Sequence, residues 1–292
     1  MIPSSELIIN PDGSVFHLHM KPEQLADKII LVGDPSRVKL IETKMDKIIF
    51  SGGNREFQWI TADYHGELIT VVSSGIGTDN IDIVLTELDA LANVDFSTRE
   101  IKATHRTLTI VRIGTCGAMQ ADTYLGSFIV TEISVGLDGL LNFYGNTEVV
   151  FDQEMERTFI DHVKWNPRKA NPYCVYSNSD LNKQLFDNPP SNTKIVRGIT
   201  LAAPGFYGPQ GRIVRLSLDD NEINSKLRTF RYKGLRIENY EMESSAVIGL
   251  ASLLGHRATT VCCAIAGRAE GSVNTEYKDG VSQLIDLILS RF

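Results

Sequence analysis

No Cys-x-x-Cys pair occurs in this chain of 292 residues, whose four cysteines are Cys116, Cys174, Cys262 and Cys263. So few thiols in so long a chain exclude a disulfide-stapled scaffold and fit reduced side chains. His17 and His19 have no complementary Cys or His pair at ligand spacing elsewhere, which leaves a metal centre without support. Long apolar runs are absent as well. The stretches around 246–254 and 261–266 fall short of the ~20 residues that cross a bilayer. Residues 1–20 lack the basic segment followed by an apolar one that marks an export signal. The chain is read as cytoplasmic, with no membrane partner.

Positive charge is in short supply too. Lys and Arg total 29 against 36 Asp and Glu, a formal net charge of −7, which argues against a nucleic-acid partner. Any bound anion must be met by a local cluster of cations. No internal repeat and no flexible linker divides the chain, so residues 1–292 are read as one domain. What is present is ordinary for a folded protein: 42% hydrophobic and 22% charged residues.

Apolar runs rich in β-branched residues alternate with amphipathic stretches, the pattern of an α/β domain on a parallel or mixed sheet. Strands are predicted at Lys28–Gly33, Leu68–Ser73, Leu108–Ile113, Ser127–Thr131, Lys194–Ile199 and Thr259–Ala266. Helices are predicted from the spacing of Ile81, Val84, Leu85, Leu88 and Leu91, and of Val281, Leu284, Ile285 and Ile288. A third covers Met242–Leu254, with Gly255 as its C-terminal cap. Residues 1–14 read as an N-terminal extension and 93–107 as a surface insertion; 164–172 and 187–193 read as loops.

Three stretches carry chemistry. Gly33-Asp34-Pro35-Ser36-Arg37 follows the first strand, with Asp34 suited to an N-cap, Pro35 to the first helical position and Arg37 to the first turn. Such a turn suits an anion and equally suits a plain capped helix. Arg112-Ile113-Gly114-Thr115-Cys116-Gly117 places a guanidinium in an apolar strand that runs into a glycine-rich turn, and a buried arginine requires an anion, internal or bound. Cys116 reads as an inert buried thiol. Phe206-Tyr207-Gly208-Pro209-Gln210-Gly211-Arg212 offers aromatic faces plus an amide and a guanidinium, a set that matches a flat cyclic imide. In Tyr240-Glu241-Met242-Glu243, the two acids are expected about 200° apart on a helix, so only one serves a ligand. The glycines of Gly75-Ile76-Gly77-Thr78-Asp79-Asn80 match a dinucleotide fingerprint only in part, since Asn80 stands where the third glycine belongs.

Taken in order, Phe16-His17, GDPSR at 33–37, NREF at 54–57, SSGIG at 73–77, RIGTCGA at 112–118, FYGPQGR at 206–212 and YEMESS at 240–245 resemble the nucleoside phosphorylase superfamily, and within it the uridine phosphorylases. The resemblance implies a single three-layer α/β/α domain with a central mixed, partly barrel-like sheet. It implies phosphorolysis of uridine to uracil and ribose 1-phosphate, with inorganic phosphate as co-substrate and no organic cofactor. By the same resemblance, Gly33, Arg37, Arg112 and Thr115 hold phosphate together with Arg55 from a neighbouring subunit. Met242, Glu243 and the neighbour's His17 hold the ribose. Phe206, Gln210, Arg212 and Arg268 hold the base, and Arg112, Arg212 and Glu243 are the catalytic set. A homodimer, or a hexamer built as a trimer of dimers, follows from the shared residues, with a potassium ion near Glu56 at its interface. Purine relatives carry a Ser-Asp pair where this chain has Ala266-Gly267-Arg268, and Cys116 and Gly267 replace residues common in the family. Another nucleoside, such as deoxyuridine, thymidine or a purine nucleoside, and a catalytically silent nucleoside-binding relative are the alternative readings.

Overall fold

The computed structural model describes all 292 residues. In chain order its strands are β1 (Lys28–Val32), β2 (Lys47–Asn54), β3 (Phe57–Tyr64), β4 (Glu67–Ser73), β5 (Val94–Asp95), β6 (Glu100–Ile101) and β7 (Thr109–Ala118). They continue with β8 (Phe128–Gly136), β9 (Tyr173–Tyr176), β10 (Ile195–Ala202), β11 (Arg231–Tyr232), β12 (Leu235–Glu241), β13 (Arg257–Gly267) and β14 (Ser272–Val273). The helices are α1 (Pro35–Glu42), α2 (Thr78–Asn93), α3 (Gln153–Val163), α4 (Ser179–Phe186), α5 (Ile223–Thr229), α6 (Ser244–Leu253) and α7 (Lys278–Leu289). None is long and apolar enough to cross a membrane.

Twelve strands form one mixed sheet in the order β11-β12-β10-β8-β13-β7-β1-β4-β3-β2, with β9 added to β8 and β14 to β13. Strand β12 also pairs antiparallel with β7, through Asn239 to Ala118 and Tyr240 to Gly117. Strands β7, β13, β8, β10 and β12 therefore close on themselves, and the rest of the sheet extends from this ring as an open wing. This is the single α/β domain with a partly barrel-like sheet that the sequence led us to expect.

Helices cover both faces because the central strands are apolar on both. Ile29, Ile30, Leu31 and Val32 are consecutive and all buried, a run that only a strand shielded on each side tolerates. On one side α1, α4 and α7 pack Val38, Ile41, Leu185, Leu284 and Ile288 against Ile30, Val111 and Val261. On the other, α2 and α6 pack Leu85, Leu88, Val247 and Leu250 against Ile29, Leu31 and Ile110. Each such fully buried aliphatic side chain contributes roughly 1.5–3 kcal/mol.

The expected extension and insertion are not two loose pieces. Residues 93–107 include a β5–β6 hairpin, and the Arg99 guanidinium donates to the carbonyls of Ile2 (2.8 Å), Pro3 (3.1 Å) and Leu7. Leu7 packs on Ala90 of α2 and on Val94. The arginine thus spans a gap that composition alone reads as solvent, and the two segments form one packed unit.

Candidate active site

The strand-to-helix turn after β1 is built as its residues predict. Asp34 caps α1 by accepting the Ser36 N–H at 2.8 Å, and Pro35 occupies the first helical position. Arg37, in the first turn, has no ion pair within the chain and lines a cavity of about 1320 Å³ at the carboxyl ends of β1, β4, β7, β12 and β13. Burial, and then the like charge of Arg112, lower its pKa. Arg37 is therefore the cation of this wall left free to meet an anion.

Strand β7 runs through the segment expected to be a turn. Gly114 and Gly117 are in-strand residues, and they are small in order to make room for arginines. A Cβ at Gly114 would stand 2.5 Å from Arg112 Nη1, and one at Gly117 would stand 3.2 Å from Cγ and Cδ of Arg268. Thr115, Cys116 and Gly117 line the cavity. Burial pushes the Cys116 thiol far up, in keeping with an inert side chain.

The buried Arg112 finds its anions inside the chain. Nη1 donates to Glu241 Oε2 at 3.2 Å, and Nη2 pairs with Glu243 Oε2. Burial alone would lower its pKa, but Glu243 and Glu241 overcome that and raise it. The expectation that these two acids diverge on a helix is therefore corrected. Helix α6 begins at Ser244, Glu241 is the last residue of β12 and Glu243 sits at the helix cap. The chain bends at Met242 and Glu243 between β12 and α6, so helical spacing does not apply and both carboxylates reach one guanidinium. Glu241 also accepts the N–H groups of Glu243 (2.8 Å) and Ser244 (3.0 Å), satisfying the helix start. Glu243 Oε1 accepts the Gly77 N–H at 2.7 Å, where a positive φ of 99° suits glycine. Met242 lies between the two acids and lines the same cavity.

The opposite end is walled by residues 206–214. Gln210 is buried, and its Oε1 lies 3.3 Å from Arg212 Nη2, the predicted amide–guanidinium fork. Arg212 also donates to the Phe206 carbonyl at 2.9 Å, and its Cζ stacks 4.0 Å from the centroid of that ring. One face of Phe206, predicted to meet a base, is thus covered by Arg212. Arg268 donates to the Gln210 carbonyl at 2.6 Å, leaves Nη1 buried without a partner and faces Tyr240. Burial and mutual repulsion depress the pKa of Arg212, and no carboxylate pairs with either guanidinium. Ile76, Asn224 and Tyr240 also line the cavity; Ile76 and Tyr240 lie in the quoted motifs but carry no predicted role, and Asn224 lies outside them.

Two predicted residues lie outside this cavity. Arg55 is exposed at the β2–β3 turn with φ of 55°, and His17 is held by Glu87 of α2. Glu56, next to Arg55, lines the cavity and accepts from Asn80 Nδ2 at 3.3 Å. Glu87 escaped notice, although an acid among Val84, Leu85 and Leu88 on a buried helix face was the available signal. A separate cluster of Asp89, His105 and His256 has metal-like spacing. His256 Nδ1 accepts the Leu108 N–H at 3.2 Å, so Nε2 carries the proton and donates to Asp89 at 3.1 Å. With that lone pair committed, the cluster is a hydrogen-bonded clamp.

The chain is similar to known proteins over most of its length. A uridine phosphorylase of Thermococcus kodakarensis is 26% identical over 266 residues, covering 91% of this chain and 82% of the relative. A DeoD-type purine nucleoside phosphorylase of Geobacillus stearothermophilus is 27% identical over 247 residues, covering 84% and 83%. The solved structure of a Trypanosoma brucei nucleoside phosphorylase, described as showing uridine phosphorylase activity, superposes with a TM-score of 0.86 at 28% identity and covers 98% of each chain. The model of the phosphorylase superfamily matches residues 27–286, and the chain belongs to that family.

Proposed function

We propose that the chain catalyses phosphorolysis of uridine, releasing uracil and ribose 1-phosphate, in cytoplasmic nucleoside salvage. The observation that carries this reading is the charge pattern of one cavity. Arg37, Arg212 and Arg268 line it without a carboxylate partner in the chain, while Glu241 and Glu243 on the same lining are held by Arg112. Phosphate at Gly33, Arg37, Arg112 and Thr115 attacks C1′ from one side. Glu243 accepts the ribose hydroxyls and Met242 packs under the sugar. Cleavage of the C1′–N1 bond leaves positive charge on the sugar and negative charge on the departing base. The bound phosphate offsets the first, and Gln210 and Arg212 stabilise the second, with Arg268 toward the far carbonyl.

Arg55 and His17 lie away from the cavity of their own chain, so a second copy supplies them in a homodimer, alone or within a hexamer. A potassium ion near Glu56 is part of the same reading. A purine nucleoside is the second candidate substrate, favoured by similarity to the DeoD-type enzyme; the lack of an acid in Ala266-Gly267-Arg268 counts against it. The test is incubation with uridine, with and without phosphate, alongside competing thymidine and inosine. Phosphate-dependent uracil release is expected. Release without phosphate, or preferential cleavage of inosine, overturns the reading.

A further inference from the structure

Glu87 stands in the middle of α2, in the helix face that buries Val84, Leu85 and Leu88, and only 7% of it is exposed. A carboxylate there costs far more than the leucine that would fit the apolar stripe, unless every oxygen is satisfied. No Lys or Arg pairs with it. Its partners all come from one short segment near the amino end. Oε1 accepts the His17 N–H at 2.9 Å and lies 2.7 Å from His17 Nδ1, while Oε2 accepts the Leu18 N–H at 2.8 Å.

This geometry settles what the imidazole can do. A carboxylate already accepting backbone N–H groups takes the proton side of Nδ1, so Nε2 becomes the only ring nitrogen that can meet a ligand. Other contacts hold the ring in place. The rings of Phe16 and Phe57 stand edge-on to it at 4.9 and 6.4 Å. Asn54 Nδ2 donates to the His17 carbonyl at 3.3 Å, and Trp59 Nε1 donates to the Leu18 carbonyl at 2.7 Å. The side chain nevertheless remains 29% exposed and lies outside its own chain's cavity. The imidazole is thus fixed by its own chain yet keeps part of its surface open to solvent.

We propose that Glu87 is a positioning residue that aims His17 Nε2 at the 5′-hydroxyl of a nucleoside bound in a second copy, and so sets the preference for substrates that carry that hydroxyl. This rests on the uridine phosphorylase reading above, in which His17 serves the neighbouring site. Glu87 touches no substrate and acts only through His17.

The experiment compares uridine with 5′-deoxyuridine in wild type, Glu87→Gln, His17→Ala and the double variant. Wild type should prefer uridine in kcat/KM, and His17→Ala should erase about tenfold of that preference, the scale of one hydrogen bond to a well-placed partner. Glu87→Gln keeps one carbonyl acceptor and should lose roughly fivefold, with turnover of 5′-deoxyuridine unchanged. The double variant should match His17→Ala alone, because Glu87 has nothing left to aim. An equal loss on both substrates, or additive losses in the double variant, would make Glu87 merely structural and overturn the proposal. Should Glu87→Gln fail to fold, ¹⁵N spectra of wild-type imidazoles decide the point. A His17 protonated at Nε2 and bare at Nδ1 contradicts it; the reverse tautomer supports it. If wild type releases no uracil from uridine, the functional reading falls and takes the proposal with it. If uracil is released but the preference ignores Glu87, the proposal alone falls.

Discussion

At the end of the cavity floored by Arg112, that arginine, Glu241 and Glu243 are buried and bonded to one another, whereas the wall of residues 206–214 stands half in solvent. Arg112, Glu241 and Glu243 are 4%, 3% and 4% exposed; Phe206, Tyr207 and Val214 are 50%, 60% and 79% exposed. The floor belongs to the fold, because the acids that hold Arg112 also cap α6 and bind Gly77. The wall is tied to the rest of the chain chiefly through main-chain carbonyls of Gln210 and Gly211, which Arg268 and Asn224 hold. An anion bound at the floor meets groups already aligned, and a base bound at the wall meets groups that can still move, Arg212 first among them. Fixed chemistry at one end and adaptable recognition at the other is what the difference teaches.

The comparison breaks most readily at Arg112. Removing it strands two buried carboxylates, so Arg112→Ala should lose about 3–5 kcal/mol of stability in chemical denaturation as well as nearly all turnover. An unchanged denaturation midpoint would show that the floor is no part of the framework. Arg212→Ala tests the other half. It should lower kcat/KM for uridine by about a hundredfold, ~3 kcal/mol, yet leave stability within about 0.5 kcal/mol. A large loss of stability there would erase the distinction.

A smaller effect is expected at Gly117, where both ends meet. The added methyl of Gly117→Ala presses on Cγ and Cδ of Arg268, a flexible side chain that can shift. A few-fold rise in KM for uridine should follow at nearly constant kcat, read by steady-state kinetics. The smallest effect lies outside the cavity. Burial opposes ionisation of Asp152, but donors from Tyr176, the Met155 N–H, Tyr232 and Lys233 prevail and hold its pKa at about 2. Its folded pKa is below the unfolded value of 3.8, so its contribution is present above pH ~4 and is lost as pH falls toward 2. Asp152→Asn should flatten that acid limb in a pH-dependent melt and leave turnover at neutral pH unchanged.

Much of this architecture was legible in the residues, and the rest was hidden for physical reasons. The buried strands announced themselves through consecutive apolar residues such as Ile29–Val32, and the start of α1 through its Asp-Pro pair. The GTCG stretch misled because glycine usually signals a turn, whereas Gly114 yields space to the Arg112 guanidinium and Gly117 to the side-chain methylenes of Arg268, just after β13 and more than a hundred residues away. The relation of Glu241 to Glu243 failed on one assumption, that α6 begins two residues early; the pair instead spans the bend ahead of the helix, where helical angles do not hold. The pairing of Glu87 with His17 joins residues 70 apart, and no local pattern encodes it.

The place of β13 in the sheet bears on biosynthesis. It leaves the ribosome more than a hundred residues after both β7 and β8 begin, yet it lies between them, sharing ladders with both. Until residue 267 has emerged, those two strands present unsatisfied edges toward each other, and the ring has a missing stave. A growing polypeptide can therefore gather its early helices and wing but has no closed ring to offer, and the slow, non-local step of seating a central strand waits until well after both its neighbours are made.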